Sequence, residues 1–176
     1  MEAPKIIGLV GRSRVGKDTV AEIIMEDLPE YELRRLSAPL KKAIKELYDF
    51  NVSQIETDLK EKTDRRWNKT PRECIVSLTE YMMGYMGTDF FTKRLYGEVD
   101  LPEYIIIPDV RYEHDIREIH DRGGIIIKVE KTHNTVSHPF EDNIDDMVGD
   151  FLIKNDGSID DLQSNLRKQL VFMLVS

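Results

Sequence analysis

The run Gly11-Arg12-Ser13-Arg14-Val15-Gly16-Lys17-Asp18-Thr19 stands between an apolar stretch, Ile6-Ile7-Gly8-Leu9-Val10, and a helix-patterned segment at 20–28. Strand, glycine-bounded loop, Gly-Lys and helix in that order make a phosphate cradle. Backbone N–H groups from Gly11 to Lys17 can turn inward toward phosphate oxygens, and the helix start adds its partial positive charge. The Lys17 ammonium then reaches the β- and γ-phosphates of a nucleotide. At position 18 the phosphate-loop pattern has Ser or Thr, and this chain has Asp.

Asp18 has two readings. A carboxylate in a first helical turn suits the helix dipole and stabilises by a few tenths of a kcal/mol. Beside a triphosphate, however, a carboxylate is repelled unless a cation lies between them. Mg²⁺ binds through one or two carboxylates together with phosphate oxygens and water, so Asp18 is the expected metal partner. Thr19 can offer its hydroxyl to a phosphate.

Outward from the loop, five short apolar runs read as strands, at 5–10, 32–36, 104–108, 125–130 and 151–154. Ile105-Ile106-Ile107 and Ile125-Ile126-Ile127 are β-branched throughout, as in central strands covered on both faces. Helical patterns lie between them at about 19–28, 40–48, 71–86, 113–121 and 159–175. Pro39 and Pro71 sit where a first turn tolerates proline, and Asp121-Arg122-Gly123-Gly124 reads as a helix stop. The alternation predicts a doubly wound α/β fold with ligands at the carboxyl ends of the strands. Two polar stretches interrupt it, at 51–68 and 131–148; each reads as a surface loop or, in a phosphotransferase, as a lid or substrate clamp.

Composition bounds the class. The chain has 176 residues, 40% of them hydrophobic, which suits one domain spanning 1–176. A net charge of −8 and a pI of about 5.1 argue against a general nucleic-acid surface or an anionic membrane as partner. The single Cys74 has no disulfide partner in the chain, reads as a buried structural thiol and fits a reducing compartment. With no 18-residue apolar span and no signal-peptide pattern, the expected location is the cytoplasm. His114, His120, His133 and His138 lack the spacing of a zinc site.

A phosphate loop does not say where the phosphoryl group goes. Guanine-reading and switch elements of GTPases are not matched: Asp109 is followed by Val110-Arg111-Tyr112, and Lys154-Asn155-Asp156 has the wrong order. Cations do recur at element ends: Arg14 in the loop, Lys41 after the second strand, Arg72 at a helix start and Arg111 after the third strand. Each alone reads first as a solvated surface charge. Together they suit transfer between two anionic substrates, which needs several cations to offset repulsion.

Gly-Lys-Asp-Thr at 16–19, Leu36-Ser37-Ala38-Pro39-Leu40-Lys41, Pro71-Arg72, Ile107-Pro108-Asp109-Val110-Arg111 and the run from Phe151 to Ser158 occur in this order along the chain. The ordered set resembles the deoxynucleoside monophosphate kinases of bacteriophages and large DNA viruses. The resemblance implies a three-layer phosphate-loop kinase fold with a five-stranded, mainly parallel sheet and a lid. It also implies ATP- and Mg²⁺-dependent phosphorylation of a deoxynucleoside monophosphate to the diphosphate.

By the same resemblance, Gly16, Lys17, Asp18 and Thr19 hold the ATP phosphates. With Gly11, Ser13, Arg14 and Val15 of the loop they are the expected ATP site, Lys17, Asp18 and Arg111 being the expected catalytic residues and Asp18 the metal ligand. Arg14, Ser37, Lys41, Arg72, Asp109 and Arg111 fall on the acceptor side. Phe91 or Trp67 is the candidate for stacking on the acceptor base, with Phe90, Tyr81 and Tyr85 as further aromatics. Glu141 matches a frequent acidic position, and His114 is a candidate for lining the lid. The implied partners are small nucleotides, without nucleic acid or membrane; a homodimer stays open. Phosphomevalonate kinases share the Gly-Lys-Asp and Asp-x-Arg features and are an alternative, as is an ATP-binding regulatory module without an acceptor.

Overall fold

The two isoleucine runs form the middle of an all-parallel sheet. A computed structural model of the chain describes residues 3–132 and 143–175 and divides it into two compact units: Met1–Arg35 with Leu95–Ser176, and Leu36–Arg94. The first unit holds β1 (Ile6–Val10), β2 (Glu32–Leu33), β3 (Ile105–Val110), β4 (Ile125–Glu130) and β5 (Phe151–Lys154). They lie in the order β2-β3-β1-β4-β5, every pair parallel.

Helices cover both faces, as a parallel sheet requires. From β1, Ile7 and Leu9 join Ile106, Ile127 and Ile153 in one core with α1 (Lys17–Asp27) and α7 (Ile159–Val175). Gly8, pointing the other way, lies against Ile119 of α6 (Glu113–His120). Three layers result. Each fully buried isoleucine contributes on the order of 1.5–3 kcal/mol. The helix stop expected after α6 is present, with Gly123 donating its N–H to the His120 carbonyl at 2.8 Å and Gly124 to that of Ile119 at 2.9 Å.

The end of β3 has an irregularity that matters for the site. Gly8 is level with Ile107 and Val10 with Val110, so β3 carries one residue more than β1 over this interval. Pro108 lies in it and has no N–H to give to a ladder, which confines proline in a sheet to such bulges. The strand therefore runs two residues beyond the expected 104–108 and includes Asp109.

The second unit is helical. It contains α2 (Ala38–Tyr48), α3 (Val52–Glu56), a 3₁₀ turn (Asp58–Glu61) and α4 (Pro71–Met86), and the unit boundary falls inside α5 (Phe90–Tyr96). Ile44, Phe50, Ile55 and Cys74 form its core, with Tyr48, Ile75 and Leu78 against them. Cys74 is the buried thiol expected, and burial pushes its pKa up.

Three expectations change. The strand read at 32–36 shortens to Glu32–Leu33: Arg34 makes one more ladder bond, its N–H to the Ile106 carbonyl at 2.9 Å, before the chain turns into α2. The stretch at 51–68 shows no sustained period, yet it contains α3, the 3₁₀ turn and a bridge between Asp64 and Lys69. These elements are held by caps: Asn51 Oδ1 accepts from Gln54 N–H at 2.9 Å, and Gln54 Oε1 accepts from Asn51 N–H at 3.1 Å. Helix α5, two turns long, is too short for a periodic signal. Of the polar stretch at 131–148, His133, His138 and Glu141 lie outside the described residues. Among those described, no helix is long and apolar enough to cross a membrane.

Candidate active site

The loop after β1 has the geometry its glycines demand. Gly11 (φ 155°) runs so close to β4 that a Cβ would lie 2.3 Å from the Val129 carbonyl oxygen. Gly16 (φ 101°, ψ 21°) is the left-handed N-cap of α1, and a Cβ there would meet the Asn155 side chain at 2.3 Å. A side chain at Gly11 would collide with backbone, and one at Gly16 would displace Asn155 and strain the left-handed backbone. Between them Arg14 is exposed and has φ 64°, a left-handed conformation uncommon outside glycine. Val15 is buried beneath the loop, while Ser13 and Thr19 are half-buried.

Lys17, the first residue of α1, folds back over the loop, its Nζ donating to the Gly11 carbonyl at 2.6 Å and to that of Arg12 at 2.7 Å. The ammonium thus lies at the helix N-terminus, where an anion is favoured. Asp18 next to it is two-thirds exposed, and its Oδ1 accepts from Arg35 Nη2 at 2.5 Å. An exposed carboxylate in the first turn, beside a cradle of N–H groups, matches the sparse protein ligation that Mg²⁺ accepts. Among the described residues no cluster of three or more His, Cys, Asp or Glu side chains forms a protein-only metal cage.

A cavity of about 350 Å³ opens beside the loop, between Gly11, Arg12 and Val15 on one side and the ends of β4 and β5 on the other. Lys128, Lys131 and Lys154 line it, facing Glu130 and Asp145. Arg12 is fixed there by a two-point bond to Asp145, Nε to Oδ1 at 2.8 Å and Nη2 to Oδ2 at 2.6 Å. That guanidinium holds the Asp145 carboxyl below its ordinary value. Lys128 Nζ donates to the Asp145 carbonyl at 2.7 Å and pairs with Glu130 at 3.1 Å.

Asp109 and Arg111 stand at the same end of the sheet as the loop, because Val110 is level with Val10 in neighbouring strands. Both are half-buried. The turn that carries Arg111 is held by Asp115, which is almost fully buried. Asp115 Oδ2 accepts the N–H of Arg111 and that of Tyr112, each at 3.1 Å, and Oδ1 lies 3.2 Å from His114 Nε2. The His114 ring stacks on Tyr112 rather than standing alone.

The remaining predicted residues belong to the second unit. Ser37 is the N-cap of α2, its carbonyl accepting from Lys41 N–H at 2.9 Å. Lys41 Nζ pairs with Glu56 at 2.7 Å, and Arg72 Nε, in the first turn of α4, with Glu61 at 2.6 Å. Phe91 packs edge-on against Phe90 in α5. Trp67 is half-exposed, donates its Nε1–H to the Tyr48 carbonyl at 2.9 Å and meets the Tyr48 ring edge-on, so its ring is built into this unit. Tyr81 and Tyr85 stack on each other on the exposed face of α4.

Three positioning residues escape the sequence reading. Asn155 bridges the end of β5 to the loop, its N–H to the Glu130 carbonyl and its Nδ2 to that of Val15, both at 2.8 Å. Asp115 fixes the Arg111 turn, and Arg35 holds Asp18. Asp115 had only a weak signal, an acidic residue in the first turn of α6. Asn155 lies in the run from Phe151 to Ser158 but its tie to the loop does not show there, and Arg35 had no signal, because both partners are remote in sequence.

The chain is similar to several known proteins. A protein of Acanthamoeba polyphaga mimivirus, provisionally named deoxynucleotide monophosphate kinase, is 27% identical over 189 aligned positions covering 92% of this chain and 93% of its own. The deoxynucleotide monophosphate kinase of Escherichia phage RB69 is 30% identical over 90 positions, 50% of this chain and 32% of the phage protein. Among solved structures, shikimate kinase from Aquifex aeolicus superposes with a TM-score of 0.47 and 14% identity over 95% of this chain and 96% of that one. The family described as deoxynucleotide monophosphate kinase matches residues 74–166, from the first turns of α4 into α7. With just over half its residues inside that match, this chain belongs to the deoxynucleotide monophosphate kinase family and is a phosphotransferase.

Proposed function

We propose that the chain transfers the γ-phosphoryl group of ATP to a deoxynucleoside monophosphate, giving ADP and the deoxynucleoside diphosphate. An oxygen of the acceptor's phosphate forms the new bond to the γ-phosphorus, and the bond from that phosphorus to the β–γ bridging oxygen breaks. The observation that carries this reading is the placement of Lys17 and its loop at the sheet end where Asp109 and Arg111 also emerge. A cradle for polyphosphate and an arginine beyond it are what in-line transfer needs.

In this reading residues 1–176 act as one kinase domain in the cytoplasm. Gly11 to Thr19 hold the triphosphate, and Lys17 neutralises charge developing at the β–γ bridge. Mg²⁺ would be held by Asp18 with phosphate oxygens and water, supplying further charge neutralisation. The cavity between the loop and the ends of β4 and β5 is within the range that takes a small ligand and receives the rest of the donor nucleotide. Arg111, with Asp109 beside it, serves the transferred group, and Arg14, Ser37, Lys41 and Arg72 serve the acceptor phosphate. Phe91 is the aromatic offered to the acceptor base, while the Trp67 indole N–H is engaged by the Tyr48 carbonyl.

A coupled assay of ADP release, run with each of the four deoxynucleoside monophosphates, their ribose counterparts, phosphomevalonate and no acceptor, tests the reading. ADP release dependent on at least one deoxynucleoside monophosphate is expected. Release with phosphomevalonate alone would place the chain's activity on a mevalonate skeleton, and release with no acceptor at all would mean a simple ATPase.

A further inference from the structure

Three cations of the second unit lie on elements that pack on one another, α2 on α4 and the 3₁₀ turn on α4. Lys41 on α2 and Arg72 at the start of α4 are each closed off by one carboxylate, Glu56 at 2.7 Å and Glu61 at 2.6 Å. In sequence Lys60 lies between Glu56 and Glu61, the carboxylates of these pairs, and its 3₁₀ turn packs on α4, as α2 does. It precedes Glu61 in the 3₁₀ turn, which packs on both α3 and α4, and its side chain is half-buried. Lys41, Lys60 and Arg72 thus lie on α2, the 3₁₀ turn and α4, with Glu56 and Glu61 paired to the first and last of them. Burial, and then the charges of Arg72 and Lys41, push the Lys60 ammonium below its ordinary value. Glu61 and Glu56 offset this in part, and a phosphate dianion would offset it further.

We propose that Lys60 is a third ligand of the acceptor's phosphate, completing with Lys41 and Arg72 a site for a phosphate dianion on the second unit. Glu56 and Glu61 occupy the places of phosphate oxygens in the free protein, and the incoming phosphate displaces them from Lys41 and Arg72. Nothing in the sequence pattern marks Lys60, because it lies in a charged stretch without periodicity. The inference rests on the proposed kinase reading for the identity of the anion, but the cation cluster itself does not depend on it.

Two lysine variants of the full chain, each changed to methionine to keep the aliphatic stem, test the proposal. Lys60→Met removes the proposed ligand; Lys62→Met removes the same charge two residues away. Lys60→Met is expected to raise KM for the accepted monophosphate by about tenfold or more, the loss of one charge-assisted contact, with KM for ATP unchanged. Lys62→Met should leave both constants near those of the parent, and Lys60→Arg should recover most of the loss. Equal effects of the two methionine variants, or none, would overturn the proposal while leaving the kinase reading intact. If no deoxynucleoside monophosphate is turned over, the kinase reading fails, and inorganic phosphate replaces the acceptor, with ³¹P line broadening as the readout. Phosphate binding lost in Lys60→Met and kept in Lys62→Met would then support the site; no binding by the parent protein would overturn it.

Discussion

Asn155 Nδ2 donates to the Val15 carbonyl at 2.8 Å, so the end of β5 holds the phosphate loop across 140 positions of sequence. The same side chain fills the space a Cβ on Gly16 would take. Asn155 therefore fixes the backbone whose N–H groups must converge on phosphate. Asn155→Ala should weaken a non-hydrolysable ATP analogue about fivefold, the equivalent of one neutral hydrogen bond of about 1 kcal/mol. Asn155→Asp should weaken it more, because a carboxylate cannot donate and repels phosphate. Calorimetry on the three proteins checks this; equal affinities would mean the loop holds its shape unaided.

Lys17→Met should lower kcat by at least about 10²-fold, some 2.7 kcal/mol of transition-state stabilisation, with the fold retained. In the free protein the ammonium donates to the carbonyls of Gly11 and Arg12 in its own loop. Rate and circular dichroism measured together check both halves.

Asp18 and Arg35 form an ion pair at 2.5 Å, and metal binding by Asp18 must compete with it. Asp18→Asn should raise the Mg²⁺ concentration needed for half-maximal rate several-fold. Arg35→Ala should lower it, since the carboxylate is then released. Were Asp18 only a dipole partner, stability would fall by under about 1 kcal/mol and the Mg²⁺ titration would not move.

Arg72→Ala should impair the monophosphate side and leave ATP binding near that of the parent. Arg111→Ala should lower kcat more than it raises KM, as expected of a group serving the transferred phosphoryl. Asp115→Ala, which leaves the Arg111 and Tyr112 N–H groups without their buried acceptor, should reproduce part of that kcat loss and cost about 1–3 kcal/mol of stability. Steady-state kinetics and a denaturant titration separate these outcomes.

Asp64 accepts from Arg66 Nη2 at 2.8 Å, from Arg66 N–H at 2.9 Å and from Gln54 Nε2 at 2.9 Å. These bonds, Arg66 foremost, hold its carboxyl well below the ordinary 3.8. A depressed folded-state value means that stabilisation is present above the ordinary value and lost as pH falls through it and below. The melting temperature should therefore drop on going below about pH 4, and Asp64→Asn should show a smaller drop. An identical acid profile for the two proteins would contradict the assignment.

The parallel sheet was legible because its cause is local: β-branched triplets at 105–107 and 125–127 and a glycine-bounded loop after β1. The phosphate loop was legible for the same reason, its conformation being set by Gly11 and Gly16. The elements of the second unit were harder to read. Helix α3 and the 3₁₀ turn are each a single turn or so, held by Asn51 and Thr57 acting as caps, and too short to show a period. The irregularity at Pro108 was readable in hindsight, since a proline inside a central strand demands a bulge. Ties such as Arg12 to Asp145 and Asn155 to Val15 join residues more than 130 positions apart, and no local pattern encodes them.

The most direct test of the central claim is to follow the phosphoryl group itself. The purified protein, Mg²⁺ and ATP labelled at the γ-phosphate are incubated with each deoxynucleoside monophosphate, and the products are separated. The account predicts that label appears in the β-phosphate of at least one deoxynucleoside diphosphate, in equal amount to the ADP formed, and disappears with Lys17→Met. Label recovered only as inorganic phosphate, or transferred equally well by Lys17→Met, would contradict it.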